Sequence, residues 1–346
     1  MIHTLSVDDF LNLAKSVPVA DVRTPLEFDH AHIPGAFNLP IFSNEERVQV
    51  GTTYKQKGRE AAILLGFDFT GAKWSGFIKR ALEIAPNQKI AVHCWRGGMR
   101  SGAMAWALNL YGFEVYLLDG GYKKFRNWVL NKFNEPYNIF ILGGMTGSGK
   151  TRVLNELKKR NQQVIDLEDL AEHQGSSYGS MGKETQPSQE QFENALSTEL
   201  GLIDNAKTLW LEDESLTIGR RSIPNGIWQQ MRDAAVLKMV VPAAERVKFL
   251  AEEYGPLNPA FLIASTERIS KRLGPEQTRE AITAIKENRM ADFVKQVLVY
   301  YDKTYAAGQS KRNPDTVHLI ECSDTNSIVN AEIILNYYRK LLLSPA

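Results

Sequence analysis

Short apolar runs bounded by turns recur along the chain, and helix-patterned stretches fill much of the space between them. "PVADVR" (18–23) and "KIAVHC" (89–94) read as buried parallel strands, and "EVYLLDGG" (114–121) as another strand. "SGAMAWALNLYG" (101–112) reads as a helix closed by Gly112. The same alternation resumes with "IFILGG" (139–144), "QVIDLE" (163–168), "TLWLEDES" (208–215), "AVLKMVV" (235–241) and "VHLIEC" (317–322). Residues 243–312 are charged and helix-patterned with no clear strand, which predicts a helical insertion before the last strand. "SIVNAEIILNYYRKLLL" (327–343) makes a closing amphipathic helix.

The two series meet at "NKFNEPYN" (131–138), where Pro136 breaks a helical pattern and a fresh apolar strand follows. A chain of 346 residues is long for one core. The expectation is therefore two α/β domains, 1–135 and 136–346, each built on a mainly parallel sheet.

Composition changes this picture little. The chain is 43% hydrophobic and 23% charged, an ordinary globular profile. No apolar run approaches the length of a membrane span, and the first residues lack the pattern of a signal peptide. Two cysteines, Cys94 and Cys322, make no disulfide framework, and a reducing cytoplasm is the expected location. With a net charge of +1, any surface for nucleic acid must be local. "YKKFRNWVLNK" (122–132) offers Lys123, Lys124, Arg126 and Lys132 without an acid, as a phosphate-binding face or an ordinary solvated one.

Two loops carry the chemistry. "GMTGSGKT" (Gly144, Met145, Thr146, Gly147, Ser148, Gly149, Lys150, Thr151) fits the phosphate-binding pattern G-x-x-x-x-G-K-[ST], between a predicted strand and a predicted helix. Its glycines let backbone N–H groups turn inward, Lys150 reaches outer phosphates, and Thr151 offers a hydroxyl to Mg²⁺. "LWLEDES" supplies acids for a metal or its waters, Asp213 being preferred over Glu212 and Glu214. Such a loop reports a polyphosphate or diphosphate, ATP included, without naming the reaction. The second loop is "HCWRGGMRSG" (93–102), in which five residues separate Cys94 from Arg100. Trp95, Arg96, Gly97, Gly98 and Met99 would wrap an anion, while Arg96, Arg100 and the following helix N-terminus favour a thiolate. His93 reads as structural and Cys322 as core.

The stretch before the second loop, "VADVRTPLEFDHAHIPGAFNLP" (19–40), resembles the opening signature of rhodanese domains, and "LLDGGYKKFRNW" resembles their closing stretch. The resemblance covers residues 5–130. Simple sulfurtransferases of that fold usually have four residues between Cys and Arg; the fifth here widens the cradle toward a tetrahedral oxyanion. A rhodanese-like domain fused to a P-loop domain, together with "LAEHQGSSYGS", "QPSQEQFEN" and "LWLEDESLTIG", resembles the bacterial tRNA 2-selenouridine synthase family almost end to end.

That resemblance implies exchange of sulfur for selenium in a wobble 2-thiouridine, with selenophosphate as donor. It also implies an S-geranyl intermediate made from geranyl diphosphate. Cys94 is then expected to carry selenium, Arg96 and Arg100 to bind phosphate, and the P-loop to bind the diphosphate, with ATP still open there. No tightly bound cofactor is expected, apart from Mg²⁺ as a candidate ion. Expected tRNA contacts are Lys123, Lys124, Arg126, Arg220 and Arg221, with Arg268, Lys271 and Arg272 behind them. His173, Ser176 and Tyr178 are candidate phosphate contacts. Two readings compete: a Cys-dependent phosphatase of rhodanese fold, and a non-catalytic nucleotide-regulated binding protein.

Overall fold

The structure is a computed structural model and describes residues 1–173, 178, 185–309 and 312–343. The chain divides into two units: Met1–Lys132 with Glu193–Thr198, and Phe133–Phe192 with Glu199–Ala346. Both are α/β with parallel sheets.

The first unit contains β1 (Ile2–Leu5), β2 (Val19–Asp21), β3 (Phe37–Asn38), β4 (Lys89–His93) and β5 (Glu114–Leu118) in the order β1-β5-β4-β2-β3. All four pairings are parallel. The central strand β4 is buried along Ile90–His93, as expected of a strand covered on both faces. Ile90, Val92, Met104, Leu108, Phe113 and Val115 form the heart of its core. β1 and β3 lie at the two edges and escape sequence reading, since one is half-exposed and the other only two residues long. Asn194 explains why Glu193–Thr198 counts with this unit: its amide donates to the His32 carbonyl at 3.0 Å and to the Tyr122 hydroxyl at 2.8 Å.

The second unit contains β6 (Ile139–Gly144), β7 (Gln163–Val164), β8 (Leu209–Glu212), β9 (Thr217–Ile218), β10 (Arg221–Ser222), β11 (Ala235–Val240) and β12 (Val317–Glu321). Five of them form a parallel sheet in the order β12-β11-β6-β8-β7, while β9 and β10 pair as an antiparallel hairpin. The central β6 is buried at all six positions. Between β11 and β12 the described residues are helical: Ala243–Tyr254, Pro259–Arg268, Ser270–Leu273, Pro275–Lys286 and Met290–Gln309. These helices enclose a core of their own, with Phe249, Leu262, Ala281, Phe293 and Val297 at its centre. The closing helix runs Ser327–Leu343. Among the described residues no helix is long and apolar enough to cross a membrane.

Candidate functional site

In each unit a loop at the carboxyl end of the central strand leads into a helix. Open parallel sheets bind ligands at this position, where the strand order reverses on either side.

In the first unit Cys94 follows β4 directly, and the helix Met99–Tyr111 begins four residues after Trp95 with Gly98 before it. The loop is fastened to the helix Gly121–Lys132: the Tyr122 N–H donates to the Cys94 carbonyl at 2.8 Å, and the Lys123 N–H to that of Trp95 at 2.9 Å. Gly97 and Gly121 meet at this seam, both at positive φ. A Cβ on Gly121 would collide with the Cys94 carbonyl oxygen and the Gly97 nitrogen, so neither space nor backbone admits a side chain there.

Cys94 Sγ lies 3.2 Å from Ser101 Oγ and is almost enclosed, the residue being 3% exposed. Ser101 can also donate to the Gly98 carbonyl at 3.1 Å, and a thiolate would draw its single proton to the sulfur instead. Burial by itself would push the Cys94 pKa up. The Ser101 hydroxyl and N–H, the Arg100 charge and the Arg96 N–H outweigh it and hold the thiol below its ordinary value. Arg100 is steadied by Glu27, with Nη1–Oε2 at 2.8 Å. Glu27 is itself fixed in a capping box, accepting from the Thr24 N–H at 3.0 Å.

Behind the loop, buried Arg23 bonds Asp21 at 2.6 Å and the Ala31 carbonyl at 2.7 Å, and lies 3.7 Å from the Tyr122 ring centre. His93 is fully buried. Burial keeps its imidazole neutral, more than offsetting the pull of Asp21, in keeping with a structural role. Trp95 leans on Tyr122 with ring centres 5.6 Å apart, while Arg96 and Met99 are exposed. Beside the loop opens an apolar cavity of about 950 Å³, lined by Phe42, Val48, Tyr54, Phe67 and Trp74, with Arg96 and Arg100 also on its wall.

In the second unit the helix Lys150–Lys159 follows Gly149, which takes the left-handed conformation. Gly147 also has positive φ, and a side chain there would strike Leu250 and the Arg246 carbonyl. The Gly144 N–H donates to Tyr305 Oη at 2.8 Å, and Arg246 Nη1 donates to the Thr146 carbonyl at 3.1 Å while pairing with Asp302. Lys150 Nζ lies 3.2 Å from Glu212, and Thr151 Oγ1 donates to the same carboxylate at 3.1 Å. Burial would lower the Lys150 pKa, but Glu212, Glu214 and Glu168 hold it above its ordinary value.

The expected preference for Asp213 is corrected by these contacts. Asp213 accepts from Tyr305 at 3.0 Å and from buried Arg312 at 2.7 Å, which ties the strand end to the helical segment, and Glu212 is the acid at the loop. Glu168, missed in the sequence, joins Glu212 and Glu214, their nearest oxygens lying within 4.8 Å of one another. Burial and mutual repulsion push Glu168 and Glu214 upward. This donor set fits a divalent cation: Thr151 and Glu212 would hold it, and it would neutralise charge on a bound diphosphate.

The remaining expectations divide. His173 and three cations offered as tRNA contacts, Arg268, Lys271 and Arg272, line a cavity of about 1460 Å³ around Lys150. Tyr178 is fully buried in the helical core, its hydroxyl 2.8 Å from Thr266 Oγ1, so it does not serve as a phosphate contact. Ser176 lies outside the described residues. Arg126 is committed to Glu193 and to Asn194, which removes it from an exposed basic face. Lys123 is exposed, and Lys124 pairs with Asp119. Arg220 is exposed at the β9–β10 turn and Arg221 is half-buried on β10. That hairpin is stitched by Gln186, which bonds the Ile218 carbonyl and the Arg220 N–H, and by Gln189, which bonds both backbone groups of Ser222. Cys322 is buried in the core of the second sheet.

Comparison with known proteins covers both units. The rhodanese-like domain family matches residues 6–127, and the family described as the tRNA 2-selenouridine synthase AAA domain matches 137–332. Proteins named tRNA 2-selenouridine synthase are similar over most of the chain. That of Nitrosomonas europaea is 35% identical over 291 residues, covering 80% of this chain and 74% of its own. That of Bdellovibrio bacteriovorus is 38% identical over 269 residues, covering 73% and 69%. That of Marinobacter nauticus is 36% identical over 299 residues, covering 78% and 79%. A match of this extent, on both units and through both loops, means that the chain belongs to the tRNA 2-selenouridine synthase family.

Proposed function

We propose that this chain converts 2-thiouridine at the tRNA wobble position into 2-selenouridine, using selenophosphate at the Cys94 loop. The carrying observation is the loop itself, an anion cradle around a thiol held below its ordinary pKa, within a chain of this family. Arg100, positioned by Glu27, and the loop N–H groups bind the phosphate oxygens.

Sulfur bound doubly to C2 is a poor leaving group, and alkylation turns it into a good one. We infer that the second unit supplies the alkyl group from geranyl diphosphate. The P-loop N–H groups and Lys150 stabilise the departing diphosphate. The surrounding cavity also offers apolar surface, including Leu216, Phe249 and Leu250, for a hydrocarbon chain. In the first unit the apolar cavity beside Cys94 would seat the geranyl group while its sulfur is displaced. Its volume of about 950 Å³ is at the upper end of the range for small-molecule sites, roughly 300–1,000 Å³. Exposed Lys123, Lys124 and Arg220 serve phosphates of the anticodon arm, and Trp95 offers a ring for a base.

The test is mass spectrometry of nucleosides from tRNA of cells carrying Cys94→Ala. Loss of 2-selenouridine is expected. Undiminished 2-selenouridine would overturn the assignment.

A further inference from the structure

Selenium in selenophosphate is already at the selenide level, bound to phosphorus(V). A thiolate that captured the selenium would form an S–Se bond and expel phosphorus(III) as phosphite. The resulting adduct on C2 would then need a second thiol to release it. The chain's other cysteine is unsuited to that: Cys322 is 3% exposed in the core of the second sheet, and burial pushes its pKa up to about 11.

The Cys94 loop has a different aptitude. Its thiol lies in the loop with Ser101 Oγ 3.2 Å away, the Arg96 and Ser101 N–H groups favouring its anion, and Arg100 anchored by Glu27. These features suit attack on phosphorus. The acid that meets Arg100, Glu27, is held below the usual carboxylate range: burial would raise it, but Arg100 and the Thr24 N–H outweigh that. Glu27 is therefore ionised and offers no proton to a leaving group. Asp21, paired with Arg23 and held low against the effect of burial, offers none either. A leaving group here must depart as a stable anion. An alkoxide does so poorly and a selenolate does so readily.

We propose that Cys94 accepts the phosphoryl group, and that selenium passes to the nucleoside directly. This rests on the selenation reading above. Selenium of selenophosphate attacks C2 of the S-geranyl nucleoside; the C2–Se bond forms, the C2–S bond breaks, and geranylthiolate leaves to take a proton from water. The Cys94 thiolate then attacks phosphorus. The S–P bond forms, the Se–P bond breaks, and its electron pair remains on selenium as the 2-selenouridine anion. Water finally cleaves the S–P bond, which releases inorganic phosphate and restores the thiolate. No atom changes oxidation state, so no reductant is required. Ser101 assists the last step by donating to the sulfur as it departs.

The experiment is a single turnover of the full chain with selenophosphate and an anticodon stem-loop bearing S-geranyl-2-thiouridine, quenched and read by peptide mass spectrometry. Phosphorus on the Cys94 peptide without a selenium isotope envelope is expected. Ser101→Ala should raise the trapped fraction about tenfold, as loss of one charge-assisted hydrogen bond implies. Cys94→Ala should leave the Se-phosphorylated nucleoside on the RNA, a readout that does not depend on trapping. A selenium envelope on Cys94, or phosphite among the products, overturns the phosphoryl step. Absence of 2-selenouridine from the wild-type reaction overturns the selenation reading itself.

Discussion

The two loops solve one problem with different atoms at the base. Each follows the central strand of a five-stranded parallel sheet and runs into a helix N-terminus. Each uses glycines at positive φ to bring backbone close to backbone. In the first loop the enclosed group is a thiol whose surroundings favour its anion. In the second it is an ammonium kept charged chiefly by the Glu212 carboxylate with which it pairs. A backbone cradle gives phosphate affinity; the side chain beneath it decides whether the bound phosphorus is attacked or merely discharged as a leaving group.

The largest expected effect separates the two. Cys94→Ala should lower selenation of a pre-geranylated stem-loop by at least about 10³-fold, the scale of losing a nucleophile, and leave geranylation running. Lys150→Ala should do the reverse, cutting geranylation by about 10²-fold or more. If one variant abolishes both steps on separately supplied substrates, the division of labour is wrong.

A smaller effect tests how the first loop is held. Glu27→Gln removes the charge that steadies Arg100, and kcat/KM for selenation should fall about tenfold with little change in melting temperature. An unchanged rate would mean that Arg100 needs no anchor.

The pH dependence follows. The Cys94 pKa lies below that of a free thiol, so selenation should persist at pH values where an ordinary thiol is protonated. Ser101→Ala removes the largest favourable contribution and should move the acid limb toward higher pH, by about one unit. A limb that stays in place would assign it to another group.

The smallest effect belongs to the second loop without ligand. Glu168 has its pKa raised on folding, so the folded state keeps a proton that the unfolded chain has already released. Stability therefore falls as pH rises from the ordinary carboxylate value toward the raised one. Glu168→Gln removes that loss, and its gain in melting temperature should be larger at pH 8 than at pH 5. Mg²⁺ should narrow the difference, and a gain independent of pH would contradict the crowding of charge.

Sequence reading reached what is local. Buried strands, the two loops and the helical segment all declare themselves in runs of a few residues. It missed what is assembled over distance. Glu27 and Arg100 stand 73 residues apart, and nothing near either foretells their pairing. Glu168 ended a stretch read only as a strand, and the fold brings it to Glu212. The choice of Asp213 failed for a related reason: three acids in a row have alternating directions on a strand end, and Arg312, far along the chain, decides which one is already taken. Gln186 and Gln189 belonged to a recognisable stretch, yet their work of closing a hairpin is visible only in three dimensions.

The contact between Gly97 and Gly121 constrains how this protein can change over evolutionary time. Loop length around the cysteine is not set by the loop alone, because Gly97 is seated against Leu118, Gly120 and Gly121 at the end of the neighbouring strand. A side chain at position 97 would meet the Leu118 carbonyl and the Gly120 and Gly121 nitrogens, so a substitution there requires the neighbouring turn to move as well. A change in the cradle at this point would therefore require two separate segments to be rewritten together.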